Sequence, residues 1–78
     1  MNQNILLVFR AINHRTLKAR VSEECNDRNT RDRFRSMNVS AIQVLFALNI
    51  IDGSQYNDLY DKIWRFKTIN INDINNLL

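Results

Sequence analysis

His14 and Cys25 are the sole histidine and the sole cysteine of the chain, which makes them the first candidates for nucleophilic chemistry. A thiol is activated by a base within hydrogen-bond reach. Eleven residues apart on one helix, these two would lie about 16 Å from each other, too far to pair. One cysteine and one histidine also fall short of a tetrahedral zinc set. Asp52, Asp58 and Asp61 lack the ligand spacing of a calcium loop and suit helix caps and surface charge. A lone cysteine closes no intrachain disulfide, which fits a reducing compartment. The expectation is a protein without catalytic residues, metal or cofactor.

Arginine carries a more informative pattern. The first 36 residues hold eight basic side chains against four acidic ones, and the remainder is net acidic by one, giving +3 for the whole chain. Arg28, Arg31, Arg33 and Arg35 crowd into one segment, and Arg28, Arg31 and Arg35 fall on one side of a helix at i, i+3 and i+7. Asp32 shares that side. A planar guanidinium suits phosphate or carboxylate better than a lysine does. Two readings stay open: contact of these four arginines with nucleic acid or an acidic partner, or a solvated face paired with the interleaved acids.

The elements that must position these groups are helical. With no proline and one glycine, Gly53, in 78 residues, the chain cannot make the many tight turns of a β sandwich or barrel, nor a glycine-rich phosphate loop. Residues 4–13 read as a short helix opening at an Asn4 cap, with Ile5, Val8, Phe9 and Ile12 on one stripe; a buried strand is the rival. Residues 16–36 read as a polar helix, broken near Asn26 or Asn29, whose thin apolar seam is Leu17, Val21 and Cys25. Residues 40–51 are apolar all round except Gln43 and Asn49, with Ser40 and Gln43 forming a capping box. A helix apolar on every side is central or sits in an interface, so a homodimer or partner groove is open beside a simple core role.

Asp52-Gly53-Ser54 then ends that helix, with Gly53 as the left-handed residue and Ser54 as the next N-cap. Residues 55–67 show one apolar face of Tyr56, Leu59, Tyr60, Ile63 and Trp64, backed by i,i+4 pairs from Asp58 to Lys62 and from Asp61 to Arg65. The tail adds a last turn through Ile71, Ile74 and Leu78, or frays. The expected fold is one all-α domain over residues 1–78, a small bundle of three to four short helices, dimeric or not. At this size a single core leaves about 3–5 kcal/mol net, so a partner subunit would matter. Five consecutive apolar residues, Ile5 to Phe9, are too few for a secretory signal, and no stretch is long enough to span a bilayer, so a soluble, cytoplasmic chain is expected.

Two stretches resemble a known family. Leu6-Leu7-Val8-Phe9-Arg10-Ala11-Ile12 is similar to the L-[LM]-x-[LF]-R start of the Hha/YmoA/Cnu family of small enterobacterial nucleoid-associated regulators, and Thr16-Leu17 with the basic stretch up to Val21 is similar in position. Leu59-Tyr60-Asp61-Lys62-Ile63 reproduces the LYDKI of that family, and Trp64-Arg65-Phe66 resembles its W-K-F with a short linker removed. Where the family has A-A-D-H-R on its third helix, this chain has Phe46-Ala47-Leu48-Asn49-Ile50, and its nearest carboxylate is Asp52. The resemblance implies a four-helix domain that binds the nucleoid-structuring protein H-NS and adjusts transcriptional silencing.

The function expected is therefore a non-enzymatic regulator acting through a protein partner, with weak non-specific DNA contact and no membrane contact. Arg28, Arg31, Arg33 and Arg35 would face nucleic acid or an acidic partner; Leu45, Leu48 and Asp52 would face the protein. Two rivals stand beside it. One is a phage- or plasmid-encoded inhibitor of a host or defence protein, suggested by the chain's twelve asparagines. The other is an autonomous basic DNA-binding dimer.

Overall fold

The structure, a computed structural model, describes residues 3–70, which form three α-helices and no strand. Helix α1 spans Gln3–Glu24, α2 spans Arg28–Ala47 and α3 spans Gly53–Trp64. The helix expected over residues 4–13 is present, not the strand, and it does not stop there. No glycine or proline interrupts residues 3–24, so the ladder runs on. Asn4 accordingly lies inside α1 and does not cap it. Likewise Ser40 is in the middle of α2, so the Ser40–Gln43 capping box does not exist.

The actual boundaries are set by asparagines and aspartates, and at the end of α3 by Phe66. Asn26 has φ of 58°, and after it Asp27 N–H donates to the Ser22 carbonyl at 2.8 Å while Asn26 N–H donates to Glu23 at 3.1 Å. That pair of bonds closes α1 in a Schellman motif. The same arrangement ends α2, with Asn49 at φ 60° and Ile50 N–H on the Leu45 carbonyl at 2.9 Å. It also ends α3, where Phe66 takes φ 56° and Lys67 N–H reaches the Lys62 carbonyl at 2.9 Å. Gly53 has no positive φ and is the first residue of α3, so the left-handed role expected of it belongs to Asn49. Asp52, not Ser54, is the N-cap: its Oδ1 accepts from Gln55 N–H at 2.8 Å, and its own N–H donates to Gln55 Oε1 at 2.7 Å.

The core joins Phe9 and Ile12 of α1, Ile42 and Leu45 of α2, and Leu59 and Ile63 of α3. Ile51 and Ile69 close it from the connections. The expected seam of Leu17, Val21 and Cys25 is wrong, because all three are exposed. The side of α1 that meets α2 there carries Thr16, Ala19 and Ser22, which are buried. Small side chains let the two helices approach, and the hydroxyls are satisfied within α1: Thr16 Oγ1 donates to the Ile12 carbonyl and Ser22 Oγ to that of Lys18, both at 2.9 Å.

One buried polar node fixes the register of α1 against α2. Asn38 is 1% exposed, donates through Nδ2 to the Ile12 carbonyl and to Thr16 Oγ1 at 3.2 Å each, and accepts from Arg15 Nε at 2.8 Å. Beyond α3 the chain turns back along α1. There Asn13 Nδ2 donates to the Ile69 carbonyl at 2.8 Å and Ile69 N–H donates to Asn13 Oδ1 at 2.7 Å, a backbone-like pair made by one side chain. Ile71, Ile74 and Leu78, read as a last turn, lie outside the described residues.

Candidate functional site

The four arginines do not form one cationic surface. Arg28 and Arg33 are exposed. Arg31 is turned toward the end of α1, where its Nη1 pairs with Glu23 and its Nε with Asp32 at 3.0 Å. The hydrogen bond from Arg31 holds the Glu23 carboxyl below its ordinary value, and the two carboxylates raise Arg31 in return.

Arg35 departs furthest from the expectation. Its guanidinium lies between the rings of Trp64 and Phe66, 4.4 and 4.3 Å from their centroids, and its Nη2 donates to the Trp64 carbonyl at 2.8 Å. Only 12% of the side chain is exposed, and Nε has no partner. Burial lowers its pKa. Arg35 is thus a clamp on the end of α3. The expectation that Arg31 and Arg35 are exposed is corrected accordingly: their side chains are 19% and 12% exposed, one turned toward α1 and the other toward the end of α3.

The apolar candidates lie elsewhere, on the other side of α2. Between the N-terminal half of α1 and the C-terminal half of α2 runs a cleft of about 430 Å³, open to solvent along its length. Ile5, Val8 and Ala11 form one wall; Ala41, Val44 and Leu48 form the other. Leu45 is 3% exposed, so it is floor and core and not a rim contact. Leu48 is 64% exposed and Val44 57%. The apolar circumference expected over residues 41–51 is therefore only half covered within one chain. Asp52 lies just past the cleft and is exposed, with its Oδ1 accepting from Gln55 N–H in the α3 cap.

Two residues of the α1 wall, Ile5 and Val8, belong to the stripe read from the sequence, whereas Ala11 and Arg15 do not. Residues 4, 8, 11 and 15 recur at 4-3-4 spacing beside that stripe and mark a second face. That spacing ends on Arg15, the only charged residue lining the cleft among the described residues. Arg15 is half-buried, its pKa is lowered by desolvation, and among the described residues no carboxylate pairs with it.

Elsewhere the chemistry is sparse. His14 and Cys25 are exposed, and among the described residues no cluster of histidine, cysteine or carboxylate could hold a metal ion. Within the LYDKI stretch, Leu59 and Ile63 are core, while Lys62 pairs with Asp58 and Asp61 with Arg65, each at 2.9 Å, as the i,i+4 spacing predicts. Its letters thus serve α3 itself. No helix among the described residues is long and apolar enough to cross a membrane. No family model, curated protein or solved structure matches this chain.

Proposed function

We propose that this chain is a non-catalytic regulator that binds another protein through the cleft between α1 and α2. The observation that carries this reading is the uncovered rim of Val44 and Leu48 around a formed apolar floor. Exposed apolar side chains gathered at a cleft mark an interaction site far better than scattered ones do. Covering their exposed halves yields on the order of 3 kcal/mol before association costs, so further contacts must contribute to any stable complex.

The sequence resemblance supplies the first partner to try, a nucleoid-structuring protein of the H-NS type, with adjustment of silencing as the outcome. Arg28 and Arg33 add a weak, salt-sensitive attraction to DNA near such a partner, since phosphate contacts bring affinity without base reading. An autonomous DNA-binding dimer fits less well, because Arg31 and Arg35 are engaged inside the fold.

The test is titration calorimetry of nuclease-treated chain against purified H-NS. The expected result is micromolar binding that weakens at least about tenfold in Val44→Asp and Leu48→Asp, with melting temperatures unchanged. Equal binding by the two variants would refute the cleft. No heat from the wild type at about 100 µM would refute that partner and favour an inhibitor of some other host protein.

A further inference from the structure

The cleft's surroundings define the chemistry of what it takes. Residues 3–22 and 33–51 contain no aspartate or glutamate, yet they carry Arg10, Arg15, Lys18, Arg20, Arg33 and Arg35. The carboxylates within the described residues sit elsewhere: Glu23, Glu24, Asp27 and Asp32 around the α1–α2 turn, and Asp52, Asp58 and Asp61 at the cap and on α3. Among the described residues the charge on the cleft wall itself is that of Arg15 alone, and the α2 wall is uncharged. Lys18, three residues after Arg15, continues the same edge of α1, and Arg33 begins the edge of α2 that runs through residues 37, 41, 44 and 48.

Arg15 concentrates this asymmetry. Its Nε is held by Asn38, itself fixed by Ile12 and Thr16, so the guanidinium is positioned at the cleft wall by a buried network. A half-buried guanidinium has lost part of its hydration and gains more than an exposed one from an incoming carboxylate. Charge complementarity therefore argues for an acidic ligand, and the open, elongated shape argues for a helix laid along it, not an enclosed small molecule.

We propose that the cleft receives an amphipathic helix of the partner protein, its apolar face on Val8, Val44 and Leu48 and a glutamate or aspartate at its edge paired with Arg15. This rests on the protein-binding reading above and names the partner element that reading leaves open.

Three labelled helical peptides of about 16 residues test it, sharing one leucine face and differing only in flanking residues: glutamate, glutamine or lysine. Binding to the full chain is followed by fluorescence anisotropy at low salt. The glutamate peptide should bind about tenfold more tightly than the glutamine peptide, and the lysine peptide more weakly still. Arg15→Gln keeps a donor for Asn38 and should erase the glutamate–glutamine difference while leaving the residual apolar affinity. Val44→Asp should weaken all three.

Equal binding of the glutamate and lysine peptides, a preference that survives Arg15→Gln, or no binding by any peptide would each overturn the proposal. So would Arg15-dependent binding of decanoate without peptide binding, which would make the cleft a small-molecule site. A dimer in sedimentation that Val44→Asp dissociates would also overturn it, showing a second copy in the cleft. If the peptides fail while Val44→Asp still abolishes binding of the purified partner, the acidic-helix proposal falls and the protein-binding reading stands.

Discussion

Replacing Arg35 with alanine should lower the melting temperature by about 8–16 °C. The magnitude follows from what its side chain touches. Two aromatic rings at 4.4 and 4.3 Å each contribute about 0.5–2 kcal/mol, depending on desolvation. The charged hydrogen bond to the Trp64 carbonyl adds about 1.5–3 kcal/mol. Against this stands the cost of a guanidinium only 12% exposed with an unpartnered Nε, about 1–3 kcal/mol. The balance is a net loss of about 2 kcal/mol on truncation, a large share of what a chain this small has in reserve.

Thermal unfolding followed by far-UV circular dichroism, with the emission of Trp64, the sole tryptophan, as a second probe, measures it. Arg35→Lys keeps the charge and loses the planar stack, so it should recover less than half of the deficit. A melting temperature within about 2 °C of wild type for Arg35→Ala would refute the clamp. Unchanged stability with reduced DNA affinity would restore Arg35 to the surface role that its spacing first suggested.

Other outcomes follow from the same geometry. Asn38→Ala should cost about 2–3 kcal/mol in urea denaturation, since it strips Arg15 Nε of its acceptor and leaves a void between α1 and α2. Asn49→Ala should cost about 1 kcal/mol, because alanine tolerates the left-handed region at φ 60° less well than asparagine does, whereas Asn49→Gly should be neutral or slightly stabilising. Phe66→Gly should instead destabilise despite its φ of 56°, because the ring that stacks on Arg35 is lost. Glu23 and Asp27 are held below their ordinary values of 4.5 and 3.8 by hydrogen bonds from Arg31 and Thr30. Their contribution is complete above those values and is lost as pH falls through the lower folded ones, so Glu23→Gln should flatten the acid limb of a melting-temperature profile.

The all-helical class was legible from composition, while a break near Asn26 or Asn29, which falls at Asn26, and the two ion pairs along α3 were legible because each depends on residues within one turn of one another. An absence of proline and near-absence of glycine exclude turn-rich folds whatever the tertiary contacts, and i,i+4 spacing places Asp58 beside Lys62 in any helix. Helix ends were read less well. Gly53 looked like the natural left-handed residue, yet Asn49 takes that conformation, because the chain must turn four residues earlier for Ile51 to reach the core.

What the sequence by itself determined was which side chains share a face. Which face is buried, and against what, was decided only when three helices met. Leu17 and Val21 are more apolar than Thr16, Ala19 and Ser22, but close approach of α2 selects the small residues and leaves the large ones outside. Arg35 has the spacing of a surface arginine and becomes a clamp because the end of α3, 29 residues away, brings Trp64 and Phe66 to it. Asn13 gives no local hint of holding Ile69, since the two are 56 residues apart. Periodicity is a property of neighbours along the chain, whereas burial, pairing and the cleft beside Arg15 depend on segments that only folding brings together.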